Sequence, residues 1–282
     1  MDVFNSVKSL NERLSFSRDQ GNSLGLVPTM GALHNGHLSL VAKAVRENNT
    51  VVVSIFVNPT QFNNAQDLAQ YPQQLTADIA LLKTISEDLL VFTPSVKEMY
   101  PEGLGAKPYS FNGLDRRWEG EDRPGHFQGV GTVVEKLFEM VRPNQAYFGE
   151  KDFQQLAIIR DLVRQKAFGI SIIGCPIVRE PYGLAMSSRN ERLKPLDRVA
   201  AAVIYKTLKI AAQKALAQNL LSEITHEAIK EIHALENTAV FYFEFVNARS
   251  LEPIKTLENP ENTRIITAVN FKGVRLLDNI GL

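Results

Sequence analysis

The hydrophobic residues near the start of the chain predict alternating strands and helices. An apolar run at 24–27 is typical of a strand, which Pro28 and Gly31 are predicted to break. From 38 to 45 the apolar residues recur every three or four positions, as they do on one face of a helix. A second apolar run at 51–57 predicts the next strand. This order of strand, turn, helix and strand predicts a βαβ unit.

The same alternation continues to about residue 175. Helical spacing is found at 1–20, 72–85, 130–141 and 153–163, and short apolar runs typical of strands at 89–92, 146–148 and 170–175. The segments 58–67 and 94–131 are predicted to be mostly loop, with one short strand near 109–111. Strands that alternate with helices favour a parallel sheet covered on both faces, which binds ligands at the carboxyl ends of its strands.

The last third of the chain has a different order of elements. Two helices are predicted at 200–216 and 221–235, followed by consecutive strands at 240–246, 263–271 and 274–277. This order is typical of a smaller α+β domain. We therefore expect two domains, at 1–175 and 176–282.

Composition restricts the class of protein. Of the 282 residues, 44% are hydrophobic, and the 31 Lys and Arg balance the 31 Asp and Glu, which disfavours a nucleic-acid partner. Cys175 is the single cysteine, which excludes an internal disulfide and fits a reducing compartment. We expect a globular cytoplasmic protein, because neither a signal peptide nor an apolar run of about 20 residues is evident.

The turn after the first predicted buried strand contains two histidines, His34 and His37. They lie at the predicted start of a helix, where unpaired backbone N–H groups and the helix dipole favour an anion. A helix cap is an equally good explanation from the pattern alone. Zinc is disfavoured, since His-x-x-His without a nearby cysteine or acidic ligand falls short of the three or four ligands that zinc needs.

Other polar residues also fall in predicted turns. Lys151 could neutralise charge on a phosphate, but as a single residue it is more simply a solvated surface lysine. The segment Ser187–Arg189 could bind phosphate oxygens, but taken alone it is better explained as a solvated turn with a Ser N-cap. Amides at three positions suit a hydroxylated, carboxylated small molecule, or are ordinary turn residues: Asn58, Gln61 and Gln155. Asp78 is either an auxiliary ligand to a phosphate-bound Mg²⁺ or, more simply, a surface carboxylate.

Five sequence blocks resemble the pantothenate synthetase (pantoate–β-alanine ligase) family. They follow one another in the family's order, and their combination is far more specific than any one of them. The blocks are PTMGALHNGH at 28–37, VSIFVNPTQF at 53–62, RPGHFQGV at 123–130, FGEKDFQQL at 148–156 and GLAMSSRN at 183–190.

The resemblance implies a Rossmann-like parallel-sheet nucleotidyltransferase domain of the HxGH superfamily with a smaller C-terminal domain that closes over the nucleotide. The implied reaction joins (R)-pantoate to β-alanine through a pantoyl-adenylate, with ATP cleaved to AMP and diphosphate. Mg²⁺ would accompany ATP without an assigned protein ligand, and the enzyme would be a homodimer with no nucleic-acid or membrane partner.

The resemblance also assigns roles to individual residues. His34 and His37 would contact the phosphates, with His37 as acid or base, and Lys151, Ser187, Ser188 and Arg189 would act with them. Gln61 would contact pantoate and β-alanine, Gln155 would contact pantoate, and Asn58 belongs to the same substrate-binding set. The ATP-binding set as a whole is Met30, Gly31, Ala32, Leu33, His34, Asn35, Gly36, His37, Gly149, Glu150, Lys151, Asp152, Val178, Met186, Ser187, Ser188 and Arg189.

The chain departs from the family pattern at Thr60, Gln73, Ala77 and Tyr182. A nucleotidyltransferase of the same superfamily is the main alternative, but it should call for more basic residues around a phosphorylated acceptor. A regulatory nucleotide-binding protein and a remnant of an aminoacyl-tRNA synthetase are further alternatives. The retained His37, Lys151 and Arg189 disfavour the first of these, and the zero net charge disfavours the second.

Overall fold

A computed structural model describes residues 1–63 and 68–282. The chain divides into two compact units. The first consists of Met1–Glu150 and Gln154–Pro176, and the second of Lys151–Phe153 and Ile177–Leu282.

The first unit is built on a six-stranded sheet in which neighbouring strands are parallel. The order across the sheet is β1-β4-β3-β2-β5-β6. The strands are β1 (Asp2–Phe4), β2 (Leu24–Thr29), β3 (Thr50–Ile55), β4 (Leu90–Phe92), β5 (Gln145–Gly149) and β6 (Ser171–Cys175). The helices are α1 (Val7–Asp19), α2 (Asn35–Glu47), α3 (Leu75–Lys83), α4 (His126–Val141) and α5 (Phe153–Gln165), with single helical turns at Val96–Met99 and Glu119–Asp122.

Successive strand residues enter different cores, as the period of two along a strand requires. Leu26 and Val52 pack in a cluster with α1, α4 and α5. Their neighbours Val27 and Val53 pack in another with α2 and α3. The sheet is therefore covered on both faces, and the prediction of an α/β fold is confirmed.

The strand order reverses between β2 and β5. From β2 the chain proceeds through β3 and β4 on one side, whereas β5 and β6 lie on the other. In open parallel sheets, ligands bind at the carboxyl ends of the strands beside such a reversal. The turn that carries the two histidines follows β2 and therefore begins at this position.

The second unit contains an antiparallel sheet of three strands in the order β7-β8-β9, as predicted for the C-terminal part. These strands are β7 (Thr238–Asn247), β8 (Thr263–Phe271) and β9 (Val274–Gly281), and the helices are α6 (Pro195–Ala201), α7 (Val203–Leu216) and α8 (Leu221–His233). Residues such as Leu208, Ile232 and Phe245 form its core. Within the described ranges, no helix has the length and apolar character needed to span a membrane.

Several predicted elements are wrong in detail. The N-terminal residues form β1 before α1 begins, because Asp2–Phe4 pairs with β4. The helix predicted at 200–216 begins at Val203, since a separate helix, α6, ends at Ala201. The strand expected near 109–111 is absent from this described part of the chain. Both backbone groups of Tyr109 instead bond the Gln128 amide, at 2.7 and 3.2 Å.

Pro28 does not end β2, which continues to Thr29. Alternate residues of a strand make backbone hydrogen bonds to opposite neighbouring strands. Leu24 bonds to Asn144, the residue before β5, and Pro28, four residues later, faces the same side. Pairing with β5 ends at Leu26, so the missing N–H of Pro28 costs no ladder hydrogen bond.

The loop predicted at 58–67 begins with a 3₁₀ turn at Pro59–Gln61, and its residues 64–67 lie outside the described residues. Cys175, the last residue of β6, is buried. Burial raises the pKa of its thiol to about 11, so the thiolate is scarce near neutral pH.

Candidate active site

The histidine turn, Met30–His37, is built around the first residues of α2. His34 is the N-cap, with extended backbone, and its Nδ1 accepts from the N–H of Gly36 at 3.1 Å. His37 returns the contact, because its Nδ1 accepts from the N–H of His34 at 3.3 Å. The two rings are tilted against each other, with centroids 4.1 Å apart. Two backbone donors of the helix start are therefore satisfied by imidazoles.

This reciprocal cap fixes the tautomer of both rings. A ring nitrogen that accepts from a backbone N–H carries no proton, so the proton of each neutral imidazole is on Nε2. Each ring can thus donate from Nε2 without becoming charged. The helix cap is therefore confirmed, and it leaves the Nε2–H groups compatible with the predicted anion site, which stays a prediction.

Asp78, on α3, holds the turn in shape. Its carboxylate oxygens accept from the N–H groups of Ala32 and Leu33, at 3.0 and 2.8 Å. The backbone is left-handed at Gly31 (φ +80°) and at Ala32 (φ +50°), a conformation that costs energy for a residue with a side chain. A Cβ at Gly31 would lie 2.9 Å from Asp78 Oδ2 and 3.1 Å from Ile55 Cγ2, which leaves room only for glycine.

The interpretation of Asp78 as a surface carboxylate is wrong. The residue is 1% exposed and is not a surface carboxylate. Both of its oxygens accept backbone N–H groups, so the carboxylate is engaged with the turn. Across the described residues, no group of three or more His, Cys, Asp or Glu side chains is arranged to hold a metal ion.

Gln61 follows β3, the strand next to β2, and its amide is held by Asn58. The Nδ2 of Asn58 donates to Gln61 Oε1 and to the carbonyl of Gly129, both at 3.1 Å. The Oδ1 of Asn58 accepts from the hydroxyls of Tyr100 at 2.6 Å and Thr60 at 3.0 Å. Asn58 is 0% exposed, so it orients Gln61 from within the protein.

Arg123, just before α4, and His126, the first residue of α4, hold the backbone of Gln61. Arg123 donates from Nη1 to His126 Nε2 at 3.1 Å. Arginine has no acceptor, so His126 Nε2 is unprotonated and Nδ1 carries the proton. That proton is donated to the carbonyl of Gln61 at 2.7 Å. Arg123 and His126 thus fix the main chain where Asn58 fixes the side chain.

The helix α4 approaches this turn so closely that only glycine fits at position 129. A Cβ there would lie 2.3 Å from the carbonyl oxygen of Thr60 and 2.7 Å from the backbone nitrogen of Gln61. On its other side, Gln61 Nε2 donates to the sulfur of Met30 at 2.9 Å. The histidine turn and the 3₁₀ turn Pro59–Gln61 are therefore in direct contact, beyond the carboxyl ends of β2 and β3.

Lys151 belongs to the second unit and lies in the 3₁₀ turn Glu150–Asp152. Its Nζ pairs with Asp152, 3.2 Å from Oδ1, and its carbonyl accepts from Asn279 Nδ2 at 3.0 Å. Gly149, before this turn, is the last residue of β5, and Gln155 is half-buried in the first turn of α5.

The segment 178–189 of the second unit folds back on itself. Met186 N–H donates to the carbonyl of Val178 at 3.0 Å, which brings together two residues assigned to ATP. Ser187 caps a 3₁₀ turn, Ser188–Arg192, by accepting from the N–H of Arg189 at 3.3 Å. The Ser N-cap considered from the sequence is therefore present, and Ser188 and Arg189 are half-buried beside it.

Sequence reasoning missed the residues that hold the site in place. Asp78 contacts residues 46 and 45 positions away along the chain, a separation at which no local pattern indicates a partner. Arg123 and His126 belong to one of the resembling blocks, but no role was predicted for either. A histidine three residues after an arginine, shortly before a predicted helix, was the available signal.

Comparison with known proteins places these residues in a family. The model of the family described as pantoate-beta-alanine ligase matches residues 2–281. A protein named pantothenate synthetase from Christiangramia forsetii is 44% identical over 282 residues, covering 100% of this chain and 99% of its own. Another of that name, from Bacteroides fragilis, is 47% identical over 280 residues, covering 99% and 98%.

Solved structures give the same result. The crystal structure of pantothenate synthetase from Thermus thermophilus matches with a TM-score of 0.92 and 42% identity, covering 100% of this chain and 99% of that one. The pantoate-beta-alanine ligase from Francisella tularensis, complexed with beta-gamma ATP and beta-alanine, matches with a TM-score of 0.79 and 38% identity, covering 100% and 97%.

The role of Asp78 can be tested by unfolding. Asp78→Ala removes the acceptor of two backbone N–H groups, and we expect the free energy of unfolding to fall by about 3 kcal/mol, the scale of two hydrogen bonds to a charged group. Urea denaturation followed by circular dichroism measures it. The control Asp88→Ala removes an exposed carboxylate and should change it by less than about 0.5 kcal/mol. Equal effects of the two substitutions would show that Asp78 does not hold the turn.

Proposed function

This chain belongs to the pantoate–β-alanine ligase family, and we propose that it joins (R)-pantoate to β-alanine, with cleavage of ATP to AMP and diphosphate. One observation supports this most: the family match spans 2–281, and within it the histidine turn stands beside Gln61 at the sheet reversal. A phosphate-binding helix start and an amide suited to an organic acid are thereby adjacent.

The first step activates the acid. A carboxylate oxygen of pantoate attacks the α-phosphorus of ATP, and the bond from that phosphorus to the bridging oxygen breaks as diphosphate leaves. Attack of one anion on another needs donors around the phosphates rather than a strong base at the carboxylate. His34 and His37 meet this need as neutral Nε2–H donors at the N-terminus of α2.

The second step forms the amide. The amine nitrogen of β-alanine attacks the carbonyl carbon of the pantoyl-adenylate and loses a proton. The carbon–oxygen bond to phosphate breaks, and AMP leaves. Gln61 contacts both acids in this proposal and Gln155 contacts pantoate, since amides bind hydroxyl and carboxylate groups without adding charge. Asn58 acts through Gln61, which its amide orients.

The second unit supplies further residues for ATP in this proposal. Lys151, Ser187, Ser188 and Arg189 bind phosphate oxygens, where cations and hydroxyls offset the charge that develops during transfer. Val178 and Met186 lie at the adenine side, joined by their backbone hydrogen bond. Gly149, Glu150 and Asp152 complete the loop that carries Lys151.

Mg²⁺ belongs to the proposal only as a counterion of ATP. Among the described residues no set of acidic and histidine side chains forms a metal site, and Asp78 is engaged with backbone N–H groups. Mg²⁺ commonly keeps several waters and binds substrate phosphates with few protein ligands. The homodimer implied by the resemblance and the cytoplasmic location expected from the sequence are further parts of the same proposal.

Isotope exchange tests the function directly. Labelled diphosphate should enter ATP when pantoate is present and β-alanine is absent. The second step cannot occur without the amine, so the pantoyl-adenylate can only react back with diphosphate to form ATP. Addition of β-alanine should yield the amide and AMP. Exchange that does not depend on pantoate would refute the ligase, and pantoate-dependent exchange without amide would refute the second step.

Two substitutions separate the catalytic role of His37 from its role in the cap. Asn places a side-chain acceptor near the position of Nδ1 but lacks the Nε2–H donor, so His37→Asn should fold normally and turn over about a hundredfold more slowly. His37→Gln carries a donor near the position of Nε2 and should retain more activity than His37→Asn. Turnover measured under saturating substrates checks this order. Near-normal turnover of His37→Asn would remove the ring donor from the mechanism.

Gly129→Ala tests the placement of Gln61. The added Cβ would push the backbone of Thr60 and Gln61, and a shift of about 1 Å should lower kcat/KM for pantoate about a hundredfold. Steady-state kinetics with pantoate varied would measure this loss. Gly105→Ala is the matched control, since nothing lies within 4 Å of its Cβ, and it should behave like the wild type. An unchanged kcat/KM in Gly129→Ala would show that this close approach does not set the site.

A further inference from the structure

Two adjacent residues of β9 contact both segments of the second unit that carry proposed ATP-binding residues. Asp278 and Asn279 are adjacent and buried, 5% and 4% exposed. Successive residues of a strand point to opposite faces, so two neighbours can serve two different segments. In this strand one neighbour holds the segment 178–189 through Arg179, and the other holds Lys151.

The contact of Asn279 with Lys151 is fixed in direction. Arg264 donates from Nη1 to Asn279 Oδ1 at 2.9 Å, so the oxygen of this amide must face the guanidinium. The Nδ2 group is thereby turned to the other side, where it donates to the carbonyl of Lys151 at 3.0 Å. Arg264 also lies over the ring of Phe153, with its Cζ 4.0 Å from the centroid. Lys151 and Phe153, the residues on either side of Asp152, are thus contacted by Asn279 and Arg264, which bond to each other.

Asp278 makes the corresponding contact with Arg179. The guanidinium is bidentate on the carboxylate, at 2.6 and 2.8 Å, and its Cζ lies 3.4 Å from the ring centroid of Tyr205. Burial raises the pKa of Asp278, and the hydrogen bonds from Arg179 oppose that rise. Arg179 also donates to the carbonyl of Gly183 at 3.1 Å, which ties β9 to the turn before Met186.

We propose that Asn279 is a positioning residue for Lys151, which it holds through the lysine carbonyl. The proposal rests on the function proposed above, in which Lys151 binds phosphate oxygens of ATP. A lysine side chain is long and flexible, so the place its ammonium can reach depends on where its main chain is held. The 3₁₀ turn that carries Lys151 is only three residues long and provides few hydrogen bonds of its own.

The test is a double-mutant cycle on the full chain, with ATP affinity measured by calorimetry. Asn279→Ala should raise the Kd for ATP about tenfold, the scale of one lost hydrogen bond, and leave the KM for pantoate within about twofold. In the Lys151→Ala background the same substitution should change the Kd less than about twofold, because there is no ammonium left to misplace.

Asn270→Ala is the matched control, since it removes an asparagine from β8 of the same sheet, where Asn270 Oδ1 accepts from the N–H of Gly273 at 2.9 Å. It should keep the ATP affinity of the wild type. Thermal melts report whether each variant folds. If Asn279→Ala does not fold, Asn279→Ser is used in its place, because the serine hydroxyl is too short to reach the carbonyl of Lys151.

Three results would overturn the proposal: an unchanged Kd in Asn279→Ala, an equal rise in both backgrounds, or an equal rise in Asn270→Ala. Failure of the proposed function is distinguishable from these, because it appears as the absence of pantoate-dependent exchange in the wild type. The binding cycle reports the coupling of Asn279 to Lys151 whatever acid the enzyme activates.

Discussion

The histidine turn depends on one buried carboxylate. Two successive residues, Gly31 and Ala32, have left-handed backbone, and Asp78 on α3 accepts from the N–H groups of Ala32 and Leu33. Without an acceptor there, burial of a backbone N–H would cost free energy on the scale of a lost hydrogen bond. The start of α2, with both imidazoles and their tautomers, follows from that anchored turn.

In both units, the side chains proposed to contact ligands are held by neighbours that take no part in the chemistry. Asp78 holds the backbone before His34, Asn58 holds the amide of Gln61, and Asn279 holds the carbonyl of Lys151. Each supporting residue is buried, and its side chain makes at least two hydrogen bonds within the protein. Such support is needed because catalysis requires reacting groups to be placed to within a fraction of an ångström.

The sequence predicts those features that depend on the spacing of apolar residues close together along the chain. The alternation of apolar runs and helical faces predicts the parallel sheet, and the resembling blocks indicate the chemistry. What it misses is tertiary in origin. Tyr109 leaves the strand conformation because a distant Gln128 satisfies its backbone, and β1 exists only because β4 lies beside it. Asp78 looked like a surface residue since its partners are far away along the chain.

The contact between Gln61 and Met30 has a consequence for which ligands can enter. A thioether sulfur is a weak acceptor, so it holds the amide of Gln61 in one orientation but yields readily to a stronger acceptor. A hydroxyl or carboxylate oxygen improves on the bond it displaces, whereas an ammonium, which only donates, cannot replace the sulfur. In the proposed function, an oxygen atom of the bound acid replaces the Met30 sulfur as the acceptor of this hydrogen bond, and an ammonium group is disfavoured there.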